Sequence, residues 1–197
     1  MPFRLLPIIS FLVLLAFFGC QSPAPKPPAP PPVEHPQPEK KSPDPVVFNN
    51  SLALLYDLLN EEKDLSKLLI IKRNSAELKV LVVNISKTSG AGAKLLKSFE
   101  KKGSGLEFKE TDLPPGEKAA RKAISKTKEH LLLHLKDQEF EFQLLLTQSE
   151  ALNYGAHLAL VALENDPQPD RAAKLSGLAR QLADLHEQVL AMLRKSH

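Results

Sequence analysis

The chain has 197 residues, enough for one domain with accessory segments. Its 26 basic and 23 acidic side chains leave a net charge of +3, a near-balance that argues against the basic excess of a nucleic-acid-binding surface. Tryptophan is absent and there is one cysteine, so an aromatic stacking platform and a disulfide framework are both unexpected.

Arg4 and the α-amino group open the chain with positive charge, and Leu5 to Phe18 is an apolar run of 14 residues broken only by Pro7 and Ser10. A spanning helix needs about 20 apolar residues. The run has instead the length of a secretory signal core. It ends in Ala16-Phe17-Phe18-Gly19-Cys20. This segment resembles the lipobox of bacterial lipoproteins, in which a small residue precedes an invariant cysteine. Gly19 and Cys20 match; Phe17 and Phe18 stand where the family prefers Leu and a small residue. The resemblance covers the first 20 residues. It implies removal of residues 1–19, diacylation of the Cys20 thiol and acylation of its new amino group. In Gram-negative envelopes it further implies, through Gln21 rather than Asp after the cysteine, the outer membrane, with the domain facing the periplasm. One acyl chain anchors only marginally, at about 0.8 kcal/mol per buried methylene, whereas two or three hold a protein on a bilayer.

Residues 20–47 then form a tether. Positions 21–47 carry 11 of the 17 prolines. Such a density precludes helix and sheet, favours polyproline II and predicts a disordered linker. At about 3.1 Å per residue the tether spans roughly 80 Å. His35 falls within it as a polar linker residue.

The domain is expected over 48–197, as four or five amphipathic helices in an all-α bundle. Two proline pairs, Pro114-Pro115 and Pro167/Pro169, divide it into three proline-free blocks. Asn50 is a candidate N-cap, followed by Leu52, Leu55, Tyr56 and Leu59 at helical spacing, with Leu65, Leu68 and Leu69 continuing. After a turn at Arg73-Asn74, Ser75 caps a helix whose seam is Leu78, Val82, Ile85, Ser89, Gly92, Leu96 and Phe99. The small middle of that seam predicts a close partner helix. Gly103 and Gly105 end the helix, and a loop over 103–116 carries Leu106, Phe108 and Leu113, with Asp112 as the next cap. A basic helix near 117–135 follows. Asp137 is expected to cap a helix over 138–164, with a seam of Phe140, Leu144, Thr147, Ala151, Tyr154, Leu158 and Val161 and a wide apolar face suited to a central helix. The last helix, about 170–195, presents Leu175, Leu178, Leu182, Leu185, Val189 and Met192; Arg194, Lys195 and His197 suit its C-terminal dipole. Without breaks at Arg73 and Asp137, two very long helices would make an extended hairpin instead.

Few groups offer chemistry. Glu150, Asn153, Tyr154 and His157 share a helical stripe, and a carboxylate and an imidazole two turns apart can hold a metal or move a proton. The competing reading is a polar patch bonded to a facing helix. No histidine follows a glutamate by three, as di-iron bundles require. His130 and His134 have HxxxH spacing, which puts two imidazoles on one face as zinc sites need, but Leu131 stands where a metalloprotease carries its glutamate. The SGAGAK stretch lacks phosphate-loop spacing, and no GxSxG occurs. With Cys20 committed to lipid, thiol chemistry, iron–sulfur clusters and covalent haem find no cysteine in the domain. No cofactor is implied. The expectation is a non-enzymatic, lipid-anchored cell-envelope protein, held on the membrane by its N-terminal lipid, whose bundle binds an envelope partner or acts as a scaffold. The alternative is a metal- or small-ligand-binding bundle using Glu150, Tyr154 and His157.

Overall fold

The computed structural model describes residues 42–70, 74–100, 115–166 and 168–195. Cys20, residues 21–41 of the proline-rich stretch with His35, Arg73, the loop residues Gly103, Gly105, Leu106, Phe108, Asp112 and Leu113, and His197 lie outside these; positions 45–47, expected in the linker, are helical.

The first helix, α1 (Pro45–Glu62), starts five residues before Asn50. Asp44 is the cap: its Oδ1 accepts from Val46 N at 2.9 Å and Val47 N at 3.3 Å. Pro45 fills the first helical position, where its fixed φ suits the helix and its missing N–H costs nothing. The helix stops at Lys63, and Leu65–Ile70 follow as a 3-10 turn. The turn is held to the next helix because Ser66 N donates to Ser86 Oγ at 2.9 Å. As expected, Ser75 caps α2 (Ala76–Lys97), its Oγ accepting from Leu78 N at 3.3 Å.

The remaining helices are α3 (Pro115–His134), α4 (Asp137–Glu164) and α5 (Pro169–Lys195). Helix α4 starts at Asp137 itself. Lys136 occupies the capping position and makes no side-chain cap bond, so the expected Asp137 cap is not formed. The breaks before Ser75 and Asp137 are real, which rules out the two-helix hairpin.

Four helices make a bundle in the ring order α1, α2, α5, α4, with every neighbouring pair antiparallel. Leu59 of α1 lies against Gly92 of α2, and Leu58 against Gly155 of α4. Gly92 also meets Leu178 of α5, and Gly155 meets Leu182. At one pole Asp44 N donates to Asn165 Oδ1 at 3.1 Å; at the other Lys195 reaches Glu77 at 3.5 Å. Helix α3 stands outside this ring along α4, with Leu132 as its buried residue. No strand occurs among the described residues.

The core is leucine-rich: Leu52, Leu55, Leu78, Leu96, Leu144 and Leu175 are fully buried. Burying each such side chain contributes about 1.5–3 kcal/mol. All seven residues of the α2 seam are buried. A β-carbon at Gly92 would sit 2.8 Å from Leu59 Cδ1, so the small seam does bring α1 close. The α5 seam is buried from Leu175 to Val189, with Met192 half-buried.

Of the expected α4 seam, Phe140, Leu144 and Leu158 are buried. Thr147, Ala151 and Tyr154 are only partly covered and Val161 is exposed. Also buried are Leu145, Gln148, Leu152, Gly155, Ala156, Ala159 and Ala162. Helix α4 is packed by α1, α3 and α5. Its buried residues are therefore of mixed size, and the small ones, Gly155, Ala156, Ala159 and Ala162, let neighbouring backbones approach.

Candidate functional site

The stripe Glu150, Asn153, Tyr154 and His157 lies on the outer side of α4, away from Gln148 and Gly155. Glu150, Asn153 and His157 are exposed; Tyr154 is half-buried against the core. Two of its members, Glu150 and Tyr154, seat α3. The Lys128 ammonium donates to Glu150 Oε2. One helical turn along, Arg121 Nη1 donates to the Tyr154 hydroxyl at 2.9 Å, and the guanidinium carbon lies 5.4 Å from the Tyr154 ring centre. Arg121 Nε also donates to Glu117 Oε1 at 2.6 Å. The Tyr154 hydroxyl bond, then that to Glu117, raises the Arg121 pKa above its ordinary value, against the effect of burial. The two polar contacts with Leu132 between their helices make a clamp rather than a cavity. Each stripe residue with a bond to α3 is satisfied by it, as a polar patch facing a neighbouring helix should be.

His130 and His134 are exposed on α3. Their rings stack with centroids 4.1 Å apart and planes 25° from parallel. His134 Nδ1 donates to the His130 carbonyl at 2.7 Å. Imidazole lone pairs lie in the ring plane, so two stacked rings aim them side by side rather than at one point. In this arrangement the pair does not chelate. Among the described residues no group of three His, Cys, Asp or Glu side chains is placed to hold a metal.

Two polar pairs that sequence inspection passed over lie deeper. Asp166 and Arg171 pair across the α4–α5 corner, with Arg171 Nη2 to Asp166 Oδ1 at 2.5 Å and Nε to Oδ2 at 3.0 Å. The guanidinium is 4.7 Å from the Phe48 ring and 5.8 Å from that of Phe99. The second pair joins α1 to α4. Gln148 on α4 is 1% exposed and Glu62 ends α1. Burial, outweighing the lowering effect of Gln148, pushes Glu62 up to about 7. Glu62 Oε2 and Gln148 Oε1 are both buried without a hydrogen-bond partner. An acidic residue at a helix end reads as solvated in a sequence, and its partner stands 86 positions away, so no local signal marks this pair.

A mainly apolar furrow runs between the start of α2 and the end of α5, lined by Val80, Leu81, Ala191 and Met192. Lys195 and Glu77 pair across it. Helix α3 adds exposed Ile124, Leu131 and Leu133. No described helix is long and apolar enough to cross a membrane. Comparison with family models, with curated proteins and with solved structures finds no match.

Proposed function

We propose that this chain is a lipid-anchored protein of the cell envelope whose helical bundle serves as an interaction or scaffold module. The carrying observation is the order of segments: an apolar run, Gly19-Cys20, then a stretch holding 11 of the 17 prolines, then the bundle. A head that enters a bilayer through acyl chains and a stiff polyproline tether together hold a folded domain away from the membrane surface. The bundle suits a binding role because Glu150 and Tyr154 of its polar stripe are engaged with α3, while apolar side chains such as Val80 and Ile124 remain exposed.

The test has two arms in intact cells. Metabolic labelling with an alkynyl fatty acid should mark the wild type, and Cys20→Ser should lose both label and membrane retention. A Cys20→Ser protein that stays with the membrane defeats the anchor. Photo-crosslinking side chains placed at Val80 and Ile124 should capture a defined envelope protein. Capture no better than from a buried control position, such as Leu178, defeats the interaction role.

A further inference from the structure

Helix α3 meets α4 along one side only, through Arg121, Lys128 and Leu132. About 100° further round the helix runs the row Ala120, Ile124, Thr127, Leu131 and His134. All five are exposed. Their spacing is four, three, four and three, the repeat by which one helix seats another. The two large members stand clear of the bundle, Ile124 54% exposed and Leu131 43%. The two polar members turn their donors back onto α3 itself. Thr127 Oγ1 donates to the Ala123 carbonyl at 3.0 Å, and His134 Nδ1 to that of His130 at 2.7 Å. Covering the row therefore strands neither donor.

Charge narrows what covers it. Pro115 to Lys136 holds six basic and two acidic side chains, a net +4 in a chain whose total is +3. Lys122 and Lys126 are exposed, and so is Glu129, which offsets one charge. Arg121 and Lys128, each one residue beyond a member of the row, border it on the α4 side. A bilayer is a poor match, since an interfacial helix needs a broad face of Leu, Phe or Trp and this row has two large apolar residues among Ala, Thr and His. A second copy of α3 would bring +4 against +4. An acidic helix satisfies both the spacing and the charge.

We infer that the exposed row Ala120, Ile124, Thr127, Leu131 and His134 is a docking strip for an acidic amphipathic helix of a partner protein. This rests on the interaction role proposed above and names the partner's chemistry. Ala120 and Thr127 admit the partner's backbone, Ile124 and Leu131 enter the gaps between its side chains, and the basic residues draw in its carboxylates.

The experiment uses the full chain carrying Cys20→Ser and a synthetic probe. The probe is a helical peptide with leucines at four-and-three spacing and glutamates beside them; its control carries lysine for each glutamate. Fluorescence anisotropy reads binding and amide hydrogen exchange locates it. The acidic peptide should bind at least about tenfold more tightly than the control. It should slow exchange in 115–134 and leave α2 and α5 unchanged. Ile124→Ser with Leu131→Ser should weaken binding at least about tenfold. Lys122→Glu with Lys126→Glu, which leaves both the row and the contact with α4 intact, should weaken it independently. Equal binding of the two peptides, protection outside α3, or full binding by either double variant overturns the strip. Stronger protection of 115–134 by phosphatidylglycerol vesicles than by the acidic peptide overturns it too. Crosslinking in cells separates this strip from the broader role: capture at Val80 without capture at Ile124 removes the strip alone, and capture at neither removes both.

Discussion

Arg171 reaches back five residues, across the turn between α4 and α5, to grip Asp166 with two nitrogens on two oxygens, while its flat face lies over Phe48 of α1. The Asp166 side chain is 1% exposed and the Arg171 side chain 9%. One residue thus joins three helices at the pole where α1 begins. Arg171→Ala leaves the Asp166 charge buried and unpaired and is expected to cost about 3–5 kcal/mol, read by urea unfolding. Arg171→Lys should recover only part of this, since a point charge cannot make the two-pronged contact or stack on the ring.

Two glycines should respond oppositely to the same kind of change. A β-carbon at Gly92 meets Leu59 at 2.8 Å and Leu178 at 3.0 Å, whereas one at Gly177 meets nothing within 4 Å. Gly92→Leu should lose about 1–3 kcal/mol by overpacking. Gly177→Ala should gain about 0.5–1 kcal/mol through helix propensity alone. Thermal unfolding of the two variants checks the sign of each.

Tyr154→Phe keeps the ring under Arg121 but removes the hydroxyl that accepts from it. The expected loss is about 0.5–1.5 kcal/mol, concentrated in α3. Amide hydrogen exchange should speed in 115–134 and stay unchanged in α1 and α5. Uniform acceleration across the bundle would contradict an outer position for α3.

Glu150→Gln breaks an ion pair whose partners are 37% and 69% exposed, so stability should change by less than about 1 kcal/mol. The informative readout is pH dependence. Burial raises Glu62 from 4.5 to about 7 and Lys128 lowers it, so stability falls as pH rises from about 4.5 through 7; with Lys128 freed from Glu150, that fall should end at lower pH.

Much of the bundle was legible in the residues. The four-and-three spacing of Leu78 to Phe99 and of Leu175 to Val189 identifies buried faces because α2 and α5 each present one narrow stripe to the core. The same reading slips on α4, where neighbours on three sides make apolar size a poor guide to the central line. There Gly155 and Ala159 sit closer to the centre than Tyr154 or Val161. The start of α1 was hidden because Pro45 belongs by composition to the tether yet is the first helical residue by geometry. The stripe on α4 was visible as a set of residues, but its role depended on Lys128 and Arg121 arriving from another helix. Long-range pairings such as Glu62 with Gln148 leave no periodic trace.

The antiparallel ring also fixes how the domain meets tension. Asp44, which caps α1, lies at one pole; Lys195, near the end of α5, lies at the opposite one beside Glu77. Helices α1 and α5 run parallel, so a pull between these residues acts along the helix axes. Rupture then requires whole rows of interdigitated leucines to slide past one another together, instead of parting turn by turn as in unzipping. The domain's endurance under such a pull is set by the unfolding rate rather than by equilibrium stability.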